Sequence, residues 1–129
     1  MASEIPRGRF VWHELATTDP EAAFDFYSHL FGWVRTEAMA MGPGGTYQMF
    51  GRTTERSVGG IFRKAPEMPS AWLVYLHVDS VDDRVETVKQ LSGRVLNGRM
   101  DVPGGDRVAQ CIDPQGAAFA IQSTAAASA

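Results

Sequence analysis

Glu14 is a carboxylate set in the middle of an otherwise apolar run, Phe10–Thr17 (FVWHELAT). Burying such a group without a partner or a task is costly. Next to an aromatic neighbour on its own strand face such as Trp12, desolvation is expected to make it hold its proton more tightly, which is what a proton carrier needs. The structural alternative is an ion pair with Arg63 or Arg107. His77 lies within a second apolar run, Trp72–Val78 (WLVYLHV), and an imidazole changes its charge near neutral pH. His13 alternates with Trp12 and Glu14, on the side of Val11 and Leu15, and reads as a partly buried histidine bonded to backbone or packed under a helix. Tyr75 can orient a ligand through its hydroxyl or serve as core. Tyr47, Gln48 and Met49 lie on a strand of unfixed register. Cys111, between Gln110 and Ile112 with no neighbouring histidine in sequence, reads as an inert thiol. Gly42–Gly45 and Gly104-Gly105 lack the Gly-Lys-Ser/Thr ending of a phosphate loop and read as hairpin turns.

Two helices must position these residues. Asp19-Pro20-Glu21 supplies a cap, a first-turn proline and a charge suited to the helix dipole, and Gly32 a left-handed stop. Ala23, Phe24, Tyr27, Leu30 and Phe31 form the apolar stripe. Ser80-Val81-Asp82-Asp83 caps the second helix, whose stripe is Val81, Val85, Val88 and Leu91 and whose stop is Gly93. Strands are expected at 10–17, 33–41, 46–51, 58–63, 72–78, 94–100, 107–112 and 117–122, separated by Gly- and Pro-containing turns. Lys64–Ser70, with two prolines, links two halves, and Thr124–Ala129 reads as a frayed tail.

The halves match. Shifted by 61 residues, Trp12 falls on Leu73, Leu15 on Leu76, Asp19 on Ser80, Leu30 on Leu91 and Gly32 on Gly93. Each half reads strand–helix–strand–strand–strand. A ferredoxin-like order, with two strands between the helices, is the second reading.

The chain has 129 residues, 12 of them basic and 15 acidic, for a net charge of −3, with 44% hydrophobic residues. That suits one folded domain and disfavours disorder and nucleic-acid binding. The longest strongly apolar stretch, Ala71 to Leu76, is too short to cross a bilayer. The opening MASEIPRGRF has no apolar core, and a single cysteine excludes an internal disulfide. A cytoplasmic protein without a membrane or nucleic-acid partner is expected.

Duplicated βαβββ modules, opening with VWHELATTDPEAAFDFYSHLFGW and closing with DPQGAAFAIQ, resemble the vicinal oxygen chelate superfamily of glyoxalase I, extradiol dioxygenases and bleomycin-resistance proteins. The resemblance implies a single α+β domain. Module one spans about 9–64, a linker 65–70 and module two about 71–123, with a cupped eight-stranded mixed sheet and the helices outside. In catalytic members a divalent metal sits in the cup and chelates the substrate. Carried over, the ligand positions fall on Trp12, on Leu73, on Ala120 and within Ser57–Lys64 (SVGGIFRK). None of these offers a coordinating side chain, so no metal and no other cofactor is expected.

The strand faces that the resemblance turns into the cup hold Trp12, Glu14 and Ala16, then Leu73, Tyr75 and His77, then Ala118, Ala120 and Gln122. Trp12, Glu14, Leu73, Tyr75, His77, Ala120 and Gln122 are therefore the expected ligand-binding residues. Glu14 and His77 are expected to pair at the cup floor as acid–base groups. The leading reading is a bleomycin-resistance-like protein that binds a small, partly apolar molecule without a metal, as a homodimer whose interface uses Trp33, Phe50 and Phe62. Two enzyme readings stand beside it. One is a glyoxalase or dioxygenase with a shifted metal site of Glu14, His77 and Gln122. The other is a metal-free isomerase or lyase working through Glu14 and His77.

Overall fold

The computed structural model describes residues 5–124. In chain order the elements are β1 (Phe10–Thr17), α1 (Pro20–Phe31), β2 (Val34–Ala40), a short 3-10 turn at Gly42–Gly44, β3 (Thr46–Gly51), β4 (Gly59–Arg63), β5 (Ala71–His77), α2 (Val81–Gln90), β6 (Arg94–Asp101), β7 (Arg107–Ile112) and β8 (Ala118–Ser123). Eight strands of mixed direction and two helices give the expected α+β class. Three further strands separate α1 from β5, so the ferredoxin-like order is overturned. The stretch 64–70 carries neither helix nor strand, and of the tail only Thr124 lies within the described residues.

The chain divides into two units, Trp12–Leu73 and the combination of residues 5–11 with 74–124. In the first unit the strand order is β2-β3-β4-β1. β1 runs parallel to β4, with Glu14 opposite Gly60 and Leu15 opposite Ile61, while β2–β3 and β3–β4 are antiparallel. Leu15, Phe24, Phe50 and Ile61 form its core under α1. In the second unit the order is β5-β8-β7-β6. β5 is parallel to β8, with Tyr75 opposite Ala120 and His77 opposite Gln122, and β7 pairs antiparallel with β8 and β6. Val81, Val85, Ala109, Cys111 and Ile121 form the core beneath α2. Odd and even positions thus divide as strand pleating demands: one face of each strand set meets its helix, and the other carries the polar residues.

The caps form as their chemistry requires. The Asp19 side chain accepts from the Ala22 N–H at 3.1 Å, and the Ser80 hydroxyl from the Asp83 N–H at 3.2 Å. Gly32 takes the left-handed conformation, and its N–H returns to the Ser28 carbonyl. The end of α2 corrects the sequence reading. Ser92, not Gly93, occupies the left-handed position at φ 73°. The Ser92 N–H bonds the Lys89 carbonyl and the Gly93 N–H the Val88 carbonyl, a Schellman arrangement. Gly93 is there for room instead, since a Cβ would come within 2.8 Å of Val88 Cγ1.

Both stripes are narrower than expected. Leu30 and Phe31 of α1 and Leu91 beyond α2 are exposed, because each core is closed by residues one or two turns earlier. Phe50, expected at a dimer interface, is 1% exposed and stacks on Trp33 at 4.5 Å between ring centres.

Candidate functional site

In the first unit the face of β1 turned away from the core carries Trp12 and Glu14. β4 runs beside it with Gly60 opposite Glu14, and β3 follows, bringing Tyr47 within reach. The Trp12 Nε1–H donates to the Tyr47 hydroxyl at 2.8 Å, and that hydroxyl donates to Glu14 Oε1 at 3.1 Å. The tyrosine oxygen thereby has both its donor and one acceptor direction fixed. Tyr47 also stacks on Phe62 with ring centres 6.0 Å apart. Gly60 makes this possible, since a Cβ there would collide with the Tyr47 ring. The arrangement is a half-buried carboxylate with an aromatic wall and a tyrosine holding one of its oxygens. Its chemistry is to accept a hydrogen bond from a ligand, or to take or give a proton.

The arginines suggested as partners for Glu14 are engaged elsewhere. Arg63 donates to the Thr18 carbonyl at 2.6 Å. Arg107 grips Asp82 with Nη1 at 2.9 Å and Asp101 with Nε at 2.8 Å, and those hydrogen bonds, Asp101 first, hold its guanidinium protonated even more firmly than usual. Sequence reasoning could not place Tyr47. The signal was there in Gly60, whose missing side chain on an apolar strand marks a close approach.

In the second unit, β5, β8 and β7 build a second polar line. His77 Nδ1 lies 2.9 Å from Gln122 Oε1, and Gln122 Nε2 donates to Asp106 Oδ2 at 2.8 Å. His77 is 3% and Gln122 8% exposed. One strand position back, the Gln110 amide donates to the Tyr75 hydroxyl at 3.4 Å and the Asn97 amide to Gln110 Oε1 at 2.7 Å. The pleat thus puts Tyr75, His77, Ala120 and Gln122 on one face, as expected from parity. Ala120 is buried completely, and Leu73 is partly buried. Asp106 was not read from sequence at all, because it sits in the turn before β7 and only the β7–β8 register brings it to Gln122.

The structure gives each of the two expected acid–base groups a partner inside its own unit, Glu14 with Tyr47 and His77 with Gln122. His13 sits as anticipated, its Nδ1 3.1 Å from the Val58 carbonyl. Cys111 is wholly buried, and desolvation pushes its thiol pKa up. A separate cleft of about 300 Å³ lies on the helix side of the first unit, lined by Leu15, Ala23, Phe26, Tyr27 and Trp72 among others. There the Trp72 Nε1–H approaches the Tyr27 hydroxyl at 3.3 Å.

The model of the Glyoxalase/Bleomycin resistance protein/Dioxygenase superfamily matches residues 9–121. The chain belongs to this superfamily. The protein named "Putative glyoxylase CFP32" of Mycobacterium tuberculosis (strain CDC 1551 / Oshkosh) is 36% identical over 122 residues, 92% of this chain and 47% of that protein. The "Anthracycline biosynthesis protein DnrV" of Streptomyces peucetius is 34% identical over 127 residues, 88% of this chain and 46% of that one. The chain therefore spans about half the length of the curated relatives it matches. Among solved structures, a variant of Streptomyces coelicolor methylmalonyl-CoA epimerase in complex with 2-nitronate-propionyl-CoA superposes with a TM-score of 0.65 at 15% identity, covering 96% of this chain and 99% of that chain. That likeness is one of fold.

Superfamily membership raises the question of a divalent metal, and the donor set can be tested against it. At the positions carried over by resemblance stand an indole whose N–H is spent on Tyr47, the aliphatic side chains of Leu73 and Ala120, and a segment, 57–64, without His, Asp, Glu or Cys. Gln122, the amide of the shifted alternative, has its oxygen turned to His77 and its nitrogen to Asp106. Among the described residues no three His, Cys, Asp or Glu side chains gather closely enough to hold a metal ion. These side chains do not fit an ion at those positions.

Proposed function

We propose that this superfamily member is a small-molecule-binding domain that holds a partly apolar ligand without a divalent metal. The observation that carries the reading is the Trp12–Tyr47–Glu14 relay. It places a half-buried, tyrosine-held carboxylate beside two stacked rings, on the strand face turned away from the core. Such a wall suits a flat, apolar body, and such a carboxylate suits a hydroxyl or amine on its rim. A relative named for anthracycline biosynthesis makes a planar polycycle with ring hydroxyls a reasonable probe. Homodimerisation belongs to the same proposal, following the bleomycin-resistance proteins that the fold resembles.

The test is titration of chelator-treated protein with an anthracycline, read by tryptophan quenching, alongside Glu14→Gln. A charge-assisted hydrogen bond contributes about 1.5–3 kcal/mol, so the variant should bind roughly ten- to a hundredfold more weakly. Binding that appears only after stoichiometric metal is restored, or that is equal in the variant, would sink the reading.

A second reading, metal-free proton transfer next to a carbonyl, is favoured by the buried His77–Gln122–Asp106 line. Glu14 and His77 are its candidate acid–base groups. It predicts exchange of a ligand C–H with solvent deuterium that is lost in His77→Gln; exchange of equal rate in that variant would count against it.

A further inference from the structure

The hydrogen-bonding chemistry of the second unit fixes more than geometry. An ionised carboxylate only accepts hydrogen bonds, so the amide group 2.8 Å from Asp106 Oδ2 must be the NH2 end of Gln122. Its oxygen then faces His77 Nδ1 at 2.9 Å, and an amide oxygen also only accepts. Nδ1 must therefore carry the hydrogen, and in the neutral ring Nε2 is left with the lone pair. Backbone register enforces the line: β5–β8 pairing sets His77 against Gln122, and β7–β8 pairing sets Val108 against Gln122, two residues past Asp106. With His77 3% and Gln122 8% exposed, bulk water is largely excluded from satisfying these groups in the reverse arrangement.

We propose that Asp106, acting through Gln122, is a positioning residue that locks His77 in the Nδ1–H tautomer and so reserves Nε2 as a hydrogen-bond or proton acceptor. The ligand class that meets this nitrogen is one offering an O–H, an N–H or an acidic C–H, and a ligand presenting only acceptors is disfavoured. The use made of Nε2 rests on the proton-transfer reading above, whereas the tautomer itself does not.

The experiment is a long-range ¹H–¹⁵N correlation spectrum of the full ¹⁵N-labelled chain at about pH 8, where an ordinary imidazole with a pKa near 6.5 is neutral. His77→Gln identifies the signals among the three histidines. The expected result is a protonated, pyrrole-like Nδ1 and a pyridine-like Nε2 for His77. Asp106→Asn can donate as well as accept, so Gln122 is free to turn and the two nitrogen shifts should move toward each other as the second tautomer fills. Asp106→Ala, which removes the acceptor, should do the same. A pyridine-like Nδ1 or a doubly protonated ring in the unsubstituted protein overturns the proposal. So does a pattern unchanged in both variants. The measurement needs no ligand, so its failure is distinct from failure of the proton-transfer reading, which deuterium exchange reports.

Discussion

Cys111 lies next to the last residue of β7, packed with Val81, Val85, Ala109 and Ile121 and with no accessible surface. Burial disfavours its thiolate, so its folded pKa stands above the ordinary value of about 8.5. The folded chain then keeps a proton that the unfolded chain releases. The associated stability is fully present below the unfolded pKa and is lost as pH rises beyond it. Cys111→Ala should be less stable at neutral pH but should lose stability less steeply above about pH 8.5 than the unsubstituted protein, as followed by denaturant midpoints. Identical alkaline slopes would show that the thiol titrates normally in the fold. At the same scale, the sequence marked Glu14 as costly and His77 as chemically capable, but it could not supply Tyr47 or Asp106. Those partners come from strands distant along the chain, and a one-residue change of register would have turned either away.

At the level of single elements the local code was largely sufficient. Asp19, Pro20, Gly32 and Ser80 act within a few residues of themselves, so their effects can be read without knowing the rest of the fold. The end of α2 is the exception. Gly93 looked like the stop because glycine tolerates left-handed geometry, yet the chain assigns that conformation to Ser92 and spends Gly93 on close packing with Val88 and Ile112. Ser92→Gly removes the strain of a side chain at φ 73° and should raise stability by up to about 1 kcal/mol. Asp19→Ala, which deletes a cap, should lower it by about 1 kcal/mol. Thermal melts of the two variants should therefore shift in opposite directions by a few degrees. A destabilised Ser92→Gly would mean that the serine side chain contributes something its geometry does not show.

For the molecule as a whole, the repeated βαβββ plan was legible because the order of caps, stops and turns survives where residue identity does not. The homodimer proposed above sets the expected mass. We expect light scattering to give a mass twice that of the 14.1 kDa chain. Phe50 has no part in that association, being enclosed by Trp33 and the α1 core. The exposed rings of Phe26 and Phe31 on α1 offer an apolar surface instead. Phe26→Ala with Phe31→Ala should shift the dimer toward monomer, and a monomeric mass for the unsubstituted chain at all accessible concentrations would refute the dimer.

By itself the sequence determined the two helices and their caps, the eight strands, the duplicated plan and, within single strands, which residues share a face, Trp12 with Glu14 and Tyr75 with His77. Each of these follows from periodicity or from chemistry acting over a few residues. Only the tertiary structure decided which groups meet. Tyr47 reaches Glu14 because β1, β4 and β3 align as they do and Gly60 leaves the ring its space. Asp106 reaches His77 through Gln122 because β8 lies between β5 and β7. Hydrogen-bond partners are chosen by distances near 3 Å, and such distances between remote strands are set by register, which no local pattern in the chain encodes.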